Sequence, residues 1–156
     1  MKKYLLILLG LILFSSAQAE DRGKHKKTVA LWYEAFDQHN PALLDRILSK
    51  NWVDIPAAPG QPVGPEGAKH ILADIEKSFP DFRIAIKEVF QDGNKVIVRS
   101  EINAMQKGSF MGRGPSDRQM TIMAIDVHEF KEGKIVRTWH MEDWMTGLHQ
   151  LGFFEK

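Results

Sequence analysis

Apolar positions along this chain change period near its middle. Val29, Trp32, Tyr33 and Phe36 recur at helical spacing, so about Arg22 to His39 is expected to form an amphipathic helix. Asn40-Pro41 then reads as an N-cap with Pro at the first helical position. It opens a second helix whose apolar side is Leu43, Leu44, Ile47 and Leu48. Trp52 to Ile55 is a short extended piece, and Pro56 to Pro65, rich in Pro and Gly, is a loop. Pro65 to Phe79 gives a third helix with Ile71, Leu72 and Ile75 facing inward, stopped by Pro80-Asp81. Beyond it the period is two: Phe82, Ile84 and Ile86 alternate with Arg83, Ala85 and Lys87. Asp92-Gly93-Asn94 turns the chain into a strand from Lys95 to Met105. A Gly-rich loop, Gly108 to Asp117, leads to a strand from Gln119 to Phe130. Lys131-Glu132-Gly133-Lys134 is a tight hairpin into a last strand, Ile135 to Asp143, and Gly147 to Phe154 adds a helical turn. Helices followed by an antiparallel meander predict an α+β fold, the helices packed on one face of the sheet.

The first nineteen residues stand apart from this pattern. Lys2 and Lys3 precede an apolar run from Tyr4 to Phe14, and Ala17-Gln18-Ala19 closes it with small residues at alternate positions. That is the layout of a secretory signal, with cleavage expected after Ala19 and a single domain over residues 20–156. The run is shorter than the ~20 apolar residues a membrane span needs, so no stable span is expected after cleavage. A periplasmic or secreted protein is expected. The chain has no Cys, which removes disulfides, thiol catalysis and thiolate metal sites. Its formal net charge of +1 offers no electrostatic footprint for nucleic acid, and none is expected as partner. Gly60, Gly64 and Gly67 lack phosphate-loop spacing, and Pro59, Pro62 and Pro65 remove backbone donors there.

Candidate chemistry gathers on the last hairpin. With Lys131 opposite Lys134 and no irregularity, Phe130 faces Ile135, His128 faces Arg137, Asp126 faces Trp139, Ala124 faces Met141 and Ile122 faces Asp143. One face then carries Asp126, His128, Trp139, Met141 and Asp143. The other carries Met123, Ile125, Val127, Val136 and Thr138, a row suited to a homodimer interface, together with His140. Acids and an imidazole among apolar walls suit a pocket for a small apolar molecule, where a carboxylate of raised pKa can move protons. Equally, Asp126 and His128 can pair with each other or with Arg137, and Asp143 can cap the terminal helical turn. Tyr33 and Trp52 belong to the core with a share in the pocket wall, and Asp54 faces either the cavity or a turn. His128, His140 and Asp126 lack zinc spacing, and in this register His140 points away, so no metal is expected.

Four stretches carry a family resemblance: "LWYEAFDQHNPALLDRILSKNWVD", "GPEGAKHILADIEKSFPDF", "GSFMGRGPSDRQM" and "IDVHEFKEGKIVRTWHMEDWMTGLHQLG". In that order the chain resembles the SnoaL-like polyketide cyclase (ester cyclase) family of the NTF2-like superfamily. The resemblance implies a cone built from a curved antiparallel sheet wrapped by about three N-terminal helices around a pocket, often as a homodimer. It implies cofactor-independent acid/base chemistry, an aldol closure, isomerisation or hydrolysis of a small apolar carbonyl compound. Asp143 takes the position of the family's acid/base, with His128 and Asp126 as its polar partners on the preceding strand. Trp139, Met141, Tyr33, Trp52 and Asp54 would hold substrate. The other readings are an exported binding protein that holds an apolar ligand without chemistry, and a dimerisation module with a filled core.

Overall fold

The computed structural model describes residues 23–155, so the expected signal segment lies outside the described residues. The first helix, α1, is helical over residues 23–37. Then follow α2 (Ala42–Ile47), β1 (Leu48–Ile55), α3 (Pro65–Ser78), β2 (Arg83–Asp92), β3 (Lys95–Met105), β4 (Gln119–Lys131), β5 (Lys134–Glu142) and α4 (Trp144–Gln150). The α+β class is as the change of period predicts. Three boundaries differ. Asn40 caps nothing with its side chain, since Pro41 itself holds the N-cap of α2. β1 begins at Leu48, before Trp52. The terminal helix starts at Trp144, because Asp143 caps it.

The strands form one sheet in the order β1-β5-β4-β3-β2. β1 runs parallel to β5, and every other pair is antiparallel. Strand periodicity builds the core directly: Val96, Val98, Ser100, Ile102 and Ala104 of β3 are buried while their neighbours are half-exposed. On β4 the buried row runs Met120, Ile122, Ala124, Asp126, His128, Phe130, apolar except for two titratable groups. α1 lays Val29, Trp32, Tyr33 and Phe36 over this face, with Leu44, Ile47 and Leu72 completing the core. No helix among the described residues is long and apolar enough to cross a membrane.

The hairpin between β4 and β5 sets the site. Glu132 and Gly133 hold φ of 53° and 74°, the twist that favours a two-residue turn. Phe130 pairs with Ile135 as expected, but Glu129 pairs with Arg137. Val136 is an extra residue, a β-bulge. Because side chains alternate faces, one inserted residue turns every later side chain of β5 over.

Candidate active site

Beyond the bulge the ladder reads His128 opposite Thr138, Asp126 opposite His140 and Ala124 opposite Glu142. The expected partners Arg137, Trp139 and Met141 are thereby corrected: Trp139 and Met141 lie on the outer face. Trp139 sits there between Lys95 and Arg137, whose charges are 5.1 and 5.2 Å from its ring centre. Met141 is 77% exposed. Arg137 pairs with Glu129 at 2.8 Å and reaches neither Asp126 nor His128. Asp143 is exposed, accepts the Thr146 amide at 3.1 Å, and these Thr146 contacts hold its carboxyl below the usual range. The structure thus places Asp143 as a helix cap, outside the cavity where the regular register would put it. Thr138 and His140, expected outside, face inward.

The inner face lines a partly open cavity of about 70 Å³. α1 supplies Trp32 and Phe36, α3 supplies Ile71 and Ile75, the sheet supplies Ile84 and Ile102, and α4 supplies Trp144. Asp54, Asp126, His140 and Glu142 make its polar part. That space takes several waters or a small organic group, and its open side leaves room for the rest of a ligand.

Asp126 is 6% exposed. Burial pushes its carboxyl up to about 6; a hydrogen bond from Tyr33 opposes this, the Glu142 charge adds to it, His140 opposes and Asp54 adds. Tyr33 Oη donates to Asp126 Oδ2 at 2.5 Å, and burial followed by the Asp126 charge keeps the phenol protonated well above its ordinary range. His128 is fully buried, which pushes it down to about 3 and leaves a neutral ring behind the cavity. Trp52, also 0% exposed, donates to Thr138 Oγ1 at 3.0 Å and does not line the cavity. Asp54 does line it. Its Oδ1 meets His140 Nδ1 at 3.2 Å, and this contact holds the imidazole above its ordinary value against the effect of burial.

Of the eight expected residues, Asp126 and Asp54 line the cavity, Tyr33 grips Asp126, and His128 and Trp52 stand behind. His140 and Glu142 are the functional candidates the regular register turned away. The adjacent apolar pair Ile135-Val136 after the turn suits a bulged and a regular hairpin alike, so the sequence carries no signal that would have found them. Gln61 was also missed: its Nε2 donates to Asp54 Oδ2 at 3.0 Å while its Oε1 accepts the Ala58 amide at 2.7 Å. A loop residue thereby fixes the carboxylate that fixes His140.

That loop lies tightly against α3. A Cβ on Gly67 would stand 2.1 Å from the Pro62 carbonyl oxygen, which is backbone. Gly67→Ala is therefore expected to destabilise the fold by about 1–3 kcal/mol, as overpacking does. Chemical denaturation checks it, and an unchanged midpoint would mean the loop moves aside freely.

A family model for SnoaL-like polyketide cyclases matches residues 27–151. Among solved structures, TsrD from Streptomyces laurentii superposes with a TM-score of 0.78 at 21% identity, covering 84% of this chain and 96% of its own. IdmH from Streptomyces antibioticus, described as a candidate polyketide cyclase, gives 0.73 at 26%, covering 82% and 98%. A Bacillus cereus ATCC 10987 protein whose name places it with the polyketide cyclases gives 0.72 at 26%, covering 83% and 80%. No curated protein matches the sequence.

Proposed function

The chain belongs to the SnoaL-like polyketide cyclase family and has its NTF2-like fold, and from that premise we propose that it performs cofactor-independent acid/base chemistry on a small apolar carbonyl compound, with Asp126 as the base. The supporting observation is a carboxylate 6% exposed in an apolar cavity with a pKa near 6. Such a group is ionised near neutral pH yet basic enough to take a proton from carbon. The C–H bond α to the carbonyl breaks, its proton goes to Asp126, and the electron pair moves onto the carbonyl oxygen. His140, whose protonated form Asp54 favours, gives a hydrogen bond to that oxygen and keeps its proton. In an aldol closure the enolate carbon then attacks a second carbonyl of the same molecule, and the new alkoxide recovers the proton from Asp126. Isomerisation returns the proton to another carbon instead. Mass spectrometry of molecules carried by protein from its native host would supply the substrate, and its turnover by wild type tests the proposal. A ligand that is held and released unchanged would instead make this a binding protein.

Two further parts of the proposal concern setting. Export rests on the order of Lys2-Lys3, the apolar run and Ala17-Gln18-Ala19. N-terminal sequencing of host-made protein is expected to start at Glu20, and a start at Met1 overturns it. A homodimer rests on the outer sheet face, where Met123, Ile125, Phe90 and Met141 are 48%, 41%, 57% and 77% exposed. Ile125→Lys is expected to shift a dimer to monomer by light scattering, and a monomeric wild type overturns the interface.

A further inference from the structure

Asp126 is held from behind by groups shut off from solvent. Trp52, Thr138 and His128 are each 0% exposed. Trp52 Nε1 donates to Thr138 Oγ1 at 3.0 Å, and Thr138 Oγ1 lies 3.0 Å from His128 Nδ1. On the far side of the ring, His128 Nε2 lies 3.4 Å from Tyr33 Oη, which donates to Asp126 Oδ2 at 2.5 Å.

The direction of these bonds follows from donor chemistry. An indole N–H only donates, so Thr138 Oγ1 accepts at that end. Among the described residues His128 Nδ1 is the acceptor within reach of the threonine proton. Nδ1 is then the bare nitrogen, and the neutral ring carries its proton on Nε2. That N–H points toward Tyr33 Oη, whose single proton is committed to Asp126.

We propose that Trp52, Thr138, His128 and Tyr33 form a one-way hydrogen-bond chain ending on Asp126, in which Thr138 is a positioning residue that fixes the tautomer of His128. The proposal rests on Asp126 being the base. Each donor in such a chain polarises the next, so the last link onto the carboxylate strengthens. The chain offsets part of the cost of burying that charge without placing a second charge behind it. The other groups facing Asp126 are His140 and Glu142 from β5 and Asp54 from β1; Asp54 is the ladder partner of Thr138, but the hydroxyl of Thr138 meets only Trp52 and His128 among the described side chains. α3 and α4 present Ile71, Ile75 and Trp144 to the cavity, none of which titrates.

The test uses the whole protein and no substrate. Nitrogen NMR of the histidine rings reads the tautomer, and carbon NMR of the Asp126 carboxyl reads its titration midpoint. Wild type is expected to show His128 neutral and protonated on Nε2. Thr138→Ser keeps the hydroxyl and is expected to retain both signals. Thr138→Val keeps the shape and loses the hydroxyl, so the tautomer should become mixed and the midpoint rise by a few tenths of a unit. A wild-type ring protonated on Nδ1 overturns the proposal, and so does an unmoved midpoint in a folded Thr138→Val protein. If Thr138→Val does not fold, the wild-type tautomer decides alone. Turnover that survives Asp126→Asn would sink the base assignment and leave these NMR results standing, so the two failures are separable.

Discussion

Asp126→Asn is expected to leave a folded protein that binds its ligand and turns it over about 10²–10⁴-fold more slowly, the usual contribution of a positioned base. The same change should alter how stability depends on pH. The Asp126 carboxyl has an ordinary pKa of 3.8 and stands near 6 in the folded state. A raised folded pKa means the group favours folding below 3.8, and that contribution is lost as pH rises through about 6. The full span is about 3 kcal/mol at 1.36 kcal/mol per unit, and roughly half of it falls between pH 5 and pH 8. An amide cannot titrate, so the variant should gain on wild type across that interval. Denaturant midpoints at both pH values, beside turnover of the substrate found by ligand trapping, check both halves. A variant of unchanged turnover and unchanged pH dependence would mean that Asp126 is neither the base nor strained by its burial.

A stability gain accompanied by a loss of turnover would mark the cavity as functional, the trade expected where activity needs a destabilised group. The elements around it were largely legible in the sequence. The 3.6-residue rows of α1 and α3 and the alternation in β3 and β4 name most of the core correctly. Asp126 and His128 fall on the buried face because β4 alternates without interruption over its inner row. What was hidden is one residue. Nothing in the spacing of Ile135, Val136 and Arg137 distinguishes a regular hairpin from a bulged one, because both registers put an apolar residue opposite Phe130. The difference appears only downstream, where it exchanges Trp139, Met141 and Asp143 for Thr138, His140 and Glu142. Gln61 was invisible for another reason: its contact with Asp54 is made by a loop whose path depends on Gly64 and Gly67 lying against backbone, Lys50 and Pro62 in turn. Local pattern carries period well and carries loop path hardly at all.

The two tryptophans near β5 give the sharpest test of that register. Trp52 on β1 is 0% exposed, packs on Trp32 with ring centres 5.6 Å apart, and spends its N–H on Thr138. Trp52→Ala removes the largest fully buried side chain and opens a void that strands and α1 can only partly close. A loss of about 3–5 kcal/mol is expected, a large share of the ~5–15 kcal/mol that holds a domain folded. Trp139 lies on the outer face between two cations. Trp139→Ala leaves no internal void there and forfeits cation–π contacts worth about 0.5–1 kcal/mol each at exposed sites, so the loss should stay near 1–2 kcal/mol. In the unbulged hairpin Trp139 would point into the core, and its removal would cost as much as that of Trp52. Urea denaturation of both variants beside wild type separates the two arrangements. Equal losses would return Trp139, Met141 and Asp143 to the cavity and remove His140 from it, whereas a gap of 2 kcal/mol or more, on the order of the cavity cost, fixes the bulge at Val136 and with it the inward side of β5.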